Sequence, residues 1–525
     1  MMLKPQADQT NGAQPQTKII ASSFWFWGGL LLLWLGSLGL RLWHLQKLPY
    51  PIFDEVYFPV YAMRYLDGNP TWEGHPPLGK YFIMTAISLL GRNPAGYRGA
   101  EAVVGSLIPI LTAGLTYQLT ARRWVGLLAG VLMGLDGLYL VESRFGLINV
   151  FLVASGLSGL IFLLAALRLK GASQWQRPWL LMGCGLQLGA AFAVKWNGLG
   201  FWLAVVAVLG LSWGIALVNR LWPRFALDLT SDSPNQVISV PRIQLGFLGA
   251  MLRVRWWEWL LCLVVMPLVL YVGQWIPHIL LNPQRELHQG WAGIADMWQV
   301  LLALHRHILW WHSTAEVVPT SPNQVVHPYC SQWYSWPVSA RSVGYYFYSV
   351  NNVLTDVHAL GNPILWWCST GAVVFLTGKA LLWERLQRFN PVVAIVLIGY
   401  ATNYLPWVIT KRCLFIYHYM AASLFSFIAL ALVLQWLWDI SFGQQPSPET
   451  LPQNLENSPQ LSSWQRLAFT ISLPKVLCLV IGLGIAVSFV FFLPIWLGLP
   501  LTSPEFYGRM WFRPDIHPIP GFNWI

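Results

Sequence analysis

Charge is scarce in this chain. Of 525 residues, 32 are Lys or Arg and 21 are Asp or Glu, a charged fraction of 10%, where soluble domains carry about 25%. Even a large soluble domain keeps a mostly polar outer shell. The lack of one here, beside 56% hydrophobic residues, excludes a soluble globular fold. Cysteine is nearly as rare. Of six, Cys184, Cys262, Cys368, Cys413 and Cys478 sit in apolar runs and only Cys330 falls in a large loop. Neither a paired framework nor metal-ligand spacing is visible, so they read as small buried hydrophobes. Acidic charge is the scarcer sign, which leaves a net charge of +11. The cations are scattered over short loops instead of gathered in one basic patch. That argues against nucleic acid and reads them as topology signals and candidate phosphate ligands. A cleavable signal peptide, a nucleotide-binding Gly-rich loop and an internal repeat are likewise not evident.

What the chain has is length in its apolar runs. Runs of about twenty residues, enough to cross a ~30 Å hydrocarbon layer, fall near 21–40, 100–119, 122–141, 146–167, 178–194, 197–218, 258–280, 363–381, 391–409, 415–438 and 474–497. Only helices or closed barrels satisfy every backbone group in lipid. The pattern therefore predicts an all-α polytopic membrane protein of about eleven helices, and its 32 Trp suit the two interfaces. Residues 1–18 read as a disordered polar tail, 19–510 as the membrane domain and 511–525 as a tail. Pro/Ser/Gln-rich stretches near 228–241 and 443–463 read as linkers.

Orientation follows from the basic loops. Arg122-Arg123, Arg168 with Lys170 and Arg177, the Arg220–Arg255 segment, and Lys379 with Arg385 and Arg388 fall on alternate connections, which the positive-inside rule makes cytoplasmic. The N-terminus is then cytoplasmic. The two longest loops, 41–99 and 281–362, share the external face with the short turns holding Arg144, Lys195 and Arg412. Polar residues with chemical potential gather on that face, whereas a transporter more often places ionisable residues at mid-membrane on interrupted helices.

The first external loop carries Phe53-Asp54-Glu55-Val56-Tyr57-Phe58, then His75-Pro76-Pro77-Leu78-Gly79-Lys80. Adjacent residues of a helix or strand point apart. Asp54 and Glu55 therefore suggest divided labour, one facing a substrate and the other held by a cation or a helix terminus. The alternative is an acidic cap for a helix over Val56–Leu66. His75 precedes two rigid prolines, and Lys80 begins a short apolar stretch, 81–90, suited to the interface or to a simple turn into an amphipathic helix. Arg144 in Glu142-Ser143-Arg144 reads either as a planar fork for a lipid phosphate or as a snorkelling cation. Lys195 and Lys411-Arg412 are similar cations at external helix ends. The loop at 305–347 is dense in His305, Arg306, His307, His312, His327, Trp333, Tyr334, Trp336 and Tyr345. It lacks the helical metal spacing and acidic partners of a zinc site, and its aromatics suit sugar stacking or interfacial anchoring alike.

In this order the motifs, with Ser143-Arg144-Phe145, Val194-Lys195-Trp196, His327 to Pro337, Gly361-Asn362-Pro363 and Tyr417-His418-Tyr419, resemble the protein O-mannosyltransferases. These use dolichyl- or polyprenyl-phosphate mannose and have the C-type glycosyltransferase (GT-C) fold. The resemblance spans roughly residues 20–510. Cys330 stands where that family usually has Ser, Ser342 where it has Pro, and Gln332 and Tyr334 also depart. The loop at 281–362 is too short for the extra β-trefoil domain of eukaryotic members, so the chain resembles the bacterial type of the plasma membrane.

The resemblance implies an inverting transfer of mannose from a lipid-linked phosphate to a Ser or Thr hydroxyl of a protein on the external side. Secretion machinery is then a candidate partner that delivers the acceptor. The family's catalytic acid maps onto Asp54, with Glu55 its neighbour. A hydroxyl nucleophile needs a base within hydrogen-bond reach, and the sugar passes through an oxocarbenium-like state. The leaving phosphate needs only neutralising cations, a role that falls to Arg144 with Lys195 and Arg412; His75, Lys80, His327, Trp336 and His418 complete the expected substrate site. No cofactor is implied, since the lipid-linked sugar is a substrate, and the chemistry requires no metal. Two other readings stand beside this one. One is a polyprenyl-phosphate-sugar transferase acting on a lipid or envelope glycan, although aminoarabinose transferases carry Lys-Pro-Pro where this chain has His75-Pro76-Pro77. The other is a transporter.

Overall fold

The computed structural model describes residues 15–221, 246–282, 290–315, 327–383, 390–443, 473–513 and 522–525. Among them, nine helices are long and apolar enough to cross a membrane: Phe24–Leu42, Pro94–Thr120, Asn149–Arg168, Trp196–Leu221, Trp256–Leu281, Pro363–Leu381, Pro391–Ile409, Ile416–Ile440 and Leu473–Leu497. The two remaining apolar runs are also helical. Arg177–Val194 is continuous, while the run at 122–141 is broken into Arg123–Gly134 and Gly137–Glu142. Asp136 makes the break. Its carboxylate caps the second half by accepting from Tyr139 N at 3.0 Å, and it also accepts from Trp366 Nε1 at 2.6 Å. A short acidic side chain competes for backbone donors and so favours a cap over a helix interior. The tight connections at 120–123 and 194–197 are true helix ends. Ala121 is left-handed at φ 55° and Lys195 is extended.

Three features differ from the sequence reading. First, the loop at 281–362 is not without regular structure. It holds the helix Trp291–Trp310 and an antiparallel sheet of β1 (Val343–Val350), β2 (Val353–Ala359) and the distant β3 (Pro500–Thr502), in the order β1-β2-β3. Asn351 and Asn352 turn the hairpin at φ 49° and 60°, a left-handed pair that Asn tolerates better than other side chains. Second, Cys330 and Cys413 are not separate apolar residues. They form a disulfide with their Cα atoms 5.2 Å apart across 83 residues of sequence. Cys413 lies just ahead of its apolar helix instead of inside it, where it meets a loop that spacing alone does not bring near. Cys184 and Cys262 are buried, and Cys368 and Cys478 partly so. Third, the described parts of the segment expected as a tail at 511–525, residues 511–513 and 522–525, pack on the core. Trp524 is fully buried against Phe492, Trp511 and Phe512.

Helix already begins at Pro15, within the expected polar tail. Residues 1–14, the linker at 228–241, all but the first residue of 443–463, and the topology markers Arg385 and Arg388 lie outside the described residues.

Candidate functional site

Phe53–Val56 forms a single 3₁₀ turn ahead of the helix Phe58–Leu66. Phe53 itself has φ 49°, a conformation that costs an ordinary L-residue free energy and persists only where its surroundings enforce it. Those surroundings are aromatic. The Phe53 ring stacks on Tyr345 with centroids 4.2 Å apart and meets the edge of Tyr417 at 6.3 Å. The next two residues then point apart. Asp54 is half-buried, while Glu55 is wholly inside. Arg98 grips Glu55 with two prongs, Nε to Oε1 and Nη2 to Oε2, both 2.7 Å. Ile52 N and Gly146 N donate to the same carboxylate at 3.0 and 2.7 Å. Arg98 in turn donates to the carbonyls of Leu45, Leu48 and Tyr50, so one buried pair fastens the whole loop that carries Asp54.

Tyr345 reaches this point because β1 carries a bulge there. The pairing steps from Gly344↔His358 to Tyr346↔Val357, which leaves Tyr345 as the extra residue; bulges re-aim side chains in this way. The Tyr345 hydroxyl donates to Glu142, and Asn149 Nδ2 donates to the other Glu142 oxygen at 2.9 Å. Lys195 Nζ lies 3.3 Å from Asn149 Oδ1 and 5.1 Å over the Tyr417 ring. Burial pushes the Glu142 carboxyl up to about 7, against the pull of Tyr345, Asn149 and Lys195; the nearby charge of Asp54 adds to the push. Burial, the Glu142 charge and Asp54 likewise hold the Tyr345 phenol well above its ordinary value. The charges of Asp54 and Lys195 thus both act on one buried carboxyl.

Beyond Lys195 lies a cluster of cations and histidines. Burial pushes His75 well below the ordinary imidazole range, and so do the charges of Lys195, His312, Lys80 and Arg412. Its ring stacks on His312 at 5.0 Å, and His312 Nε2 donates to Gly74 O at 2.8 Å. Arg412 Nη2 stands 3.4 Å from Nε2 of the buried His418. Trp336, fully buried, stacks on His418 at 6.1 Å and donates from Nε1 to Ser331 Oγ at 2.8 Å. It supports the histidine and offers no free face to a sugar.

The other expected site residues take different places. Lys80 is buried in an ion pair with Glu73 and donates to His75 O at 2.8 Å, which holds the His75 backbone. Glu73 also accepts from Tyr65, whose hydroxyl lies 2.8 Å from His278 Nδ1. Burial raises the Glu73 carboxyl although Lys80 and Tyr65 oppose it. Arg144 is buried near Arg98. Its Nη1 donates to the carbonyls of Leu40, Arg41 and Trp43 at 2.6, 3.2 and 2.8 Å. Burial and the Arg98 charge lower its guanidinium to about 10. His327 is exposed, edge-on to Phe415 at 5.0 Å. Among the described residues, no three His, Cys, Asp or Glu side chains converge as metal ligands would.

Sequence reasoning missed Arg98, Asn149 and Glu73, and passed over Glu142 for its neighbour Arg144. A signal existed for Arg98 and Glu142, because an ionisable residue in or beside a membrane helix calls for a named partner. Asn149 carries no such mark.

A helical membrane scaffold with a carboxylate, a strained aromatic turn and a cation cluster on one face matches solved glycosyltransferases in fold. The Saccharomyces cerevisiae protein O-mannosyltransferase Pmt1-Pmt2 complex bound to the sugar donor aligns at TM-score 0.66 and 15% identity, over 96% of this chain and 93% of that one. Archaeal oligosaccharyltransferase AglB from Archaeoglobus fulgidus, in complex with an inhibitory peptide and a dolichol-phosphate, aligns at 0.50 and 13%, over 92% of this chain and 57% of that one. The architecture is that of a GT-C membrane glycosyltransferase. Residues 31–281 match the family model for dolichyl-phosphate-mannose-protein mannosyltransferase, and 297–514 match that for the C-terminal four TMM region of protein-O-mannosyltransferase. The chain belongs to the protein O-mannosyltransferase family. Among its relatives is the polyprenol-phosphate-mannose–protein mannosyltransferase of Mycobacterium tuberculosis, 25% identical over 500 residues, covering 88% of this chain and 86% of the relative. The Corynebacterium glutamicum protein of the same name is 24% identical over 437 residues, with 74% and 78% covered.

Proposed function

We propose that this enzyme moves mannose from polyprenyl phosphate to Ser or Thr hydroxyls of proteins at the external face of the cell membrane, with Asp54 as the base. What supports the assignment is that Asp54 and Lys195 both act on the same Glu142–Tyr345–Asn149 network, Asp54 by its charge and Lys195 also through Asn149. Asp54 takes the proton of the acceptor hydroxyl as its oxygen forms a bond to C1 of the sugar. The C1–O bond to the phosphate breaks, the electron pair leaves with the phosphate, and inversion at C1 needs only this one carboxylate. Lys195 and Arg412 neutralise the leaving phosphate, which then needs no proton. His75, which burial and the neighbouring cations keep neutral, and His418 offer hydrogen bonds there. Glu55 and Arg144 hold the loop, Glu55 through Arg98 and Arg144 by clamping the carbonyls that end the first span. Lys80 positions His75, Trp336 backs His418, and His327 sits at the rim where an acceptor would approach. No metal or other cofactor enters these steps.

The orientation has a second support besides the basic loops. Disulfides persist in oxidising compartments and are rare in the cytosol, so the Cys330–Cys413 bond favours an extracytoplasmic site. Delivery of unfolded acceptors by secretion machinery fits that placement.

Membranes carrying the enzyme, given polyprenyl-phosphate [³H]mannose and a Ser/Thr-rich peptide, should label the peptide in the wild type and not in Asp54→Asn. Label in lipid or glycan instead would move the enzyme to an envelope transferase, and peptide label in Asp54→Asn would remove the base.

A further inference from the structure

Arg412 lies on an irregular stretch between the 3₁₀ turns Leu405–Ile409 and Ile416–Tyr419. A long cation on such a stretch holds one position only if the backbone beneath it is tied down. Cys413 follows it directly and is bonded to Cys330. From Cys330 the chain passes to Ser331, whose N–H donates to Leu414 O at 2.7 Å, and on to Trp336, whose Nε1 donates to Ser331 Oγ at 2.8 Å. Trp336 stacks on His418 with an interplanar angle of 13°, and His418 Nε2 faces Arg412 at 3.4 Å. These contacts close a ring that begins and ends at Arg412, and the disulfide is its one covalent link between the two distant segments.

We propose that the Cys330–Cys413 disulfide is a positioning clamp that holds Arg412 in the donor-phosphate site, so that full activity requires this pair to be oxidised. The inference rests on the assignment of Arg412 to the phosphate made above. Forming the clamp takes two electrons and two protons from the cysteine thiols. They pass to an external disulfide, a protein or small-molecule oxidant of the extracytoplasmic space, which leaves as the corresponding dithiol. A reducing dithiol reverses the step, leaving two thiols and its own cyclic disulfide. The bond closes a loop of 83 residues, so it removes freedom that the reduced chain has over a long span.

The test uses the full chain purified in detergent, with transfer measured against donor concentration before and after dithiothreitol and again after oxidised glutathione. Mass mapping of alkylated cysteines verifies each state. Reduction should raise the donor KM by about tenfold with a much smaller change in kcat, and re-oxidation should restore it. Cys413→Ser and Cys330→Ser should show the raised KM without any response to dithiothreitol. Arg412→Gln should add nothing further in the Cys413→Ser background. A verified reduced enzyme with unaltered donor KM overturns the clamp, as does mapping that finds both thiols free in the native enzyme. Should the Ser variants not fold, the reduction of assembled wild type decides alone. A readout independent of transfer separates this inference from the proposed function: tryptic cleavage after Arg412 should speed up on reduction. Oxidised wild type with no transfer but with reduction-dependent cleavage would sink the assigned reaction and keep the restraint. Cleavage unchanged by reduction would sink the restraint itself.

Discussion

Arg98 meets Glu55 edge to edge, two hydrogen bonds of 2.7 Å with both side chains sealed from solvent. The adjacent acids Asp54 and Glu55 therefore do different work. One carboxylate is saturated by a guanidinium and two backbone N–H groups, which leaves it no capacity to accept a substrate proton. Breaking a buried pair from one side strands a charge and costs about 3–5 kcal/mol. Arg98→Ala should lower the thermal unfolding midpoint in detergent sharply, and the double variant Arg98→Leu, Glu55→Leu should recover part of the loss. Glu55→Gln should lose stability first and activity only as a consequence. Wild-type stability with no transfer in Glu55→Gln would instead give that carboxylate a chemical role.

Asp54→Asn should reverse that pattern. Asp54 is half-buried at the site, and the amide keeps its size while removing its basicity. Transfer should fall by about 10²–10⁴, the usual worth of a positioned base, with the unfolding midpoint within a degree or two of wild type. The informative measurement is both quantities on one preparation, since a fall in both would merge Asp54 with the structural role of Glu55.

The spans were legible because their signal is local: a run of apolar residues long enough for lipid reports itself wherever it occurs. The face shared by Asp54, Lys195 and Arg412 was legible too, through the alternation of basic loops. The pairings inside that face were not. Cys330 and Cys413 are separated by 83 residues, Glu55 and Arg98 by 43, and Tyr345 and Glu142 by 203; no spacing rule relates such positions. The hairpin could have been read. Asn351-Asn352 between two runs rich in β-branched and aromatic residues is a turn signal, but its setting between helices and a dense aromatic loop hid the alternation. Arg144 was legible as a site cation by type, and only the structure separates it from Lys195, through the carbonyls of Leu40, Arg41 and Trp43 that it holds.

That separation is itself testable. Lys195 touches Asn149 and lies beside His75 and Glu142, so Lys195→Met should slow transfer by about a hundredfold or more, as loss of a preorganised charge at a leaving anion does. Stability should hardly change. Arg144→Ala releases three carbonyls at the end of the first span and should show mainly as a lower unfolding midpoint. Donor titrations of the two variants, read together with their unfolding curves, distinguish the roles. A donor KM defect in Arg144→Ala at full stability would return it to the phosphate.

Glu142 should give the enzyme a pH response near neutrality. Its carboxyl is pushed up to about 7 by burial, and in the structure both of its oxygens accept, one from Tyr345 and one from Asn149. Protonation obliges one oxygen to donate. The Asn149 amide nitrogen cannot accept, so the proton goes to the Tyr345 side, where the hydroxyl turns from donor to acceptor, and Lys195 loses the negative charge it acts on. Transfer should therefore fall as pH drops through about 7, and this inflection should be missing from Glu142→Gln. Stability should move the other way. A carboxyl with a raised native pKa binds its proton more tightly folded than unfolded, so its contribution is full below the ordinary value of 4.5 and is lost as pH rises through about 7. Wild-type unfolding midpoints should drift downward over that window, and Glu142→Gln should flatten the drift. An unshifted inflection in the variant would assign the neutral-pH response to another group.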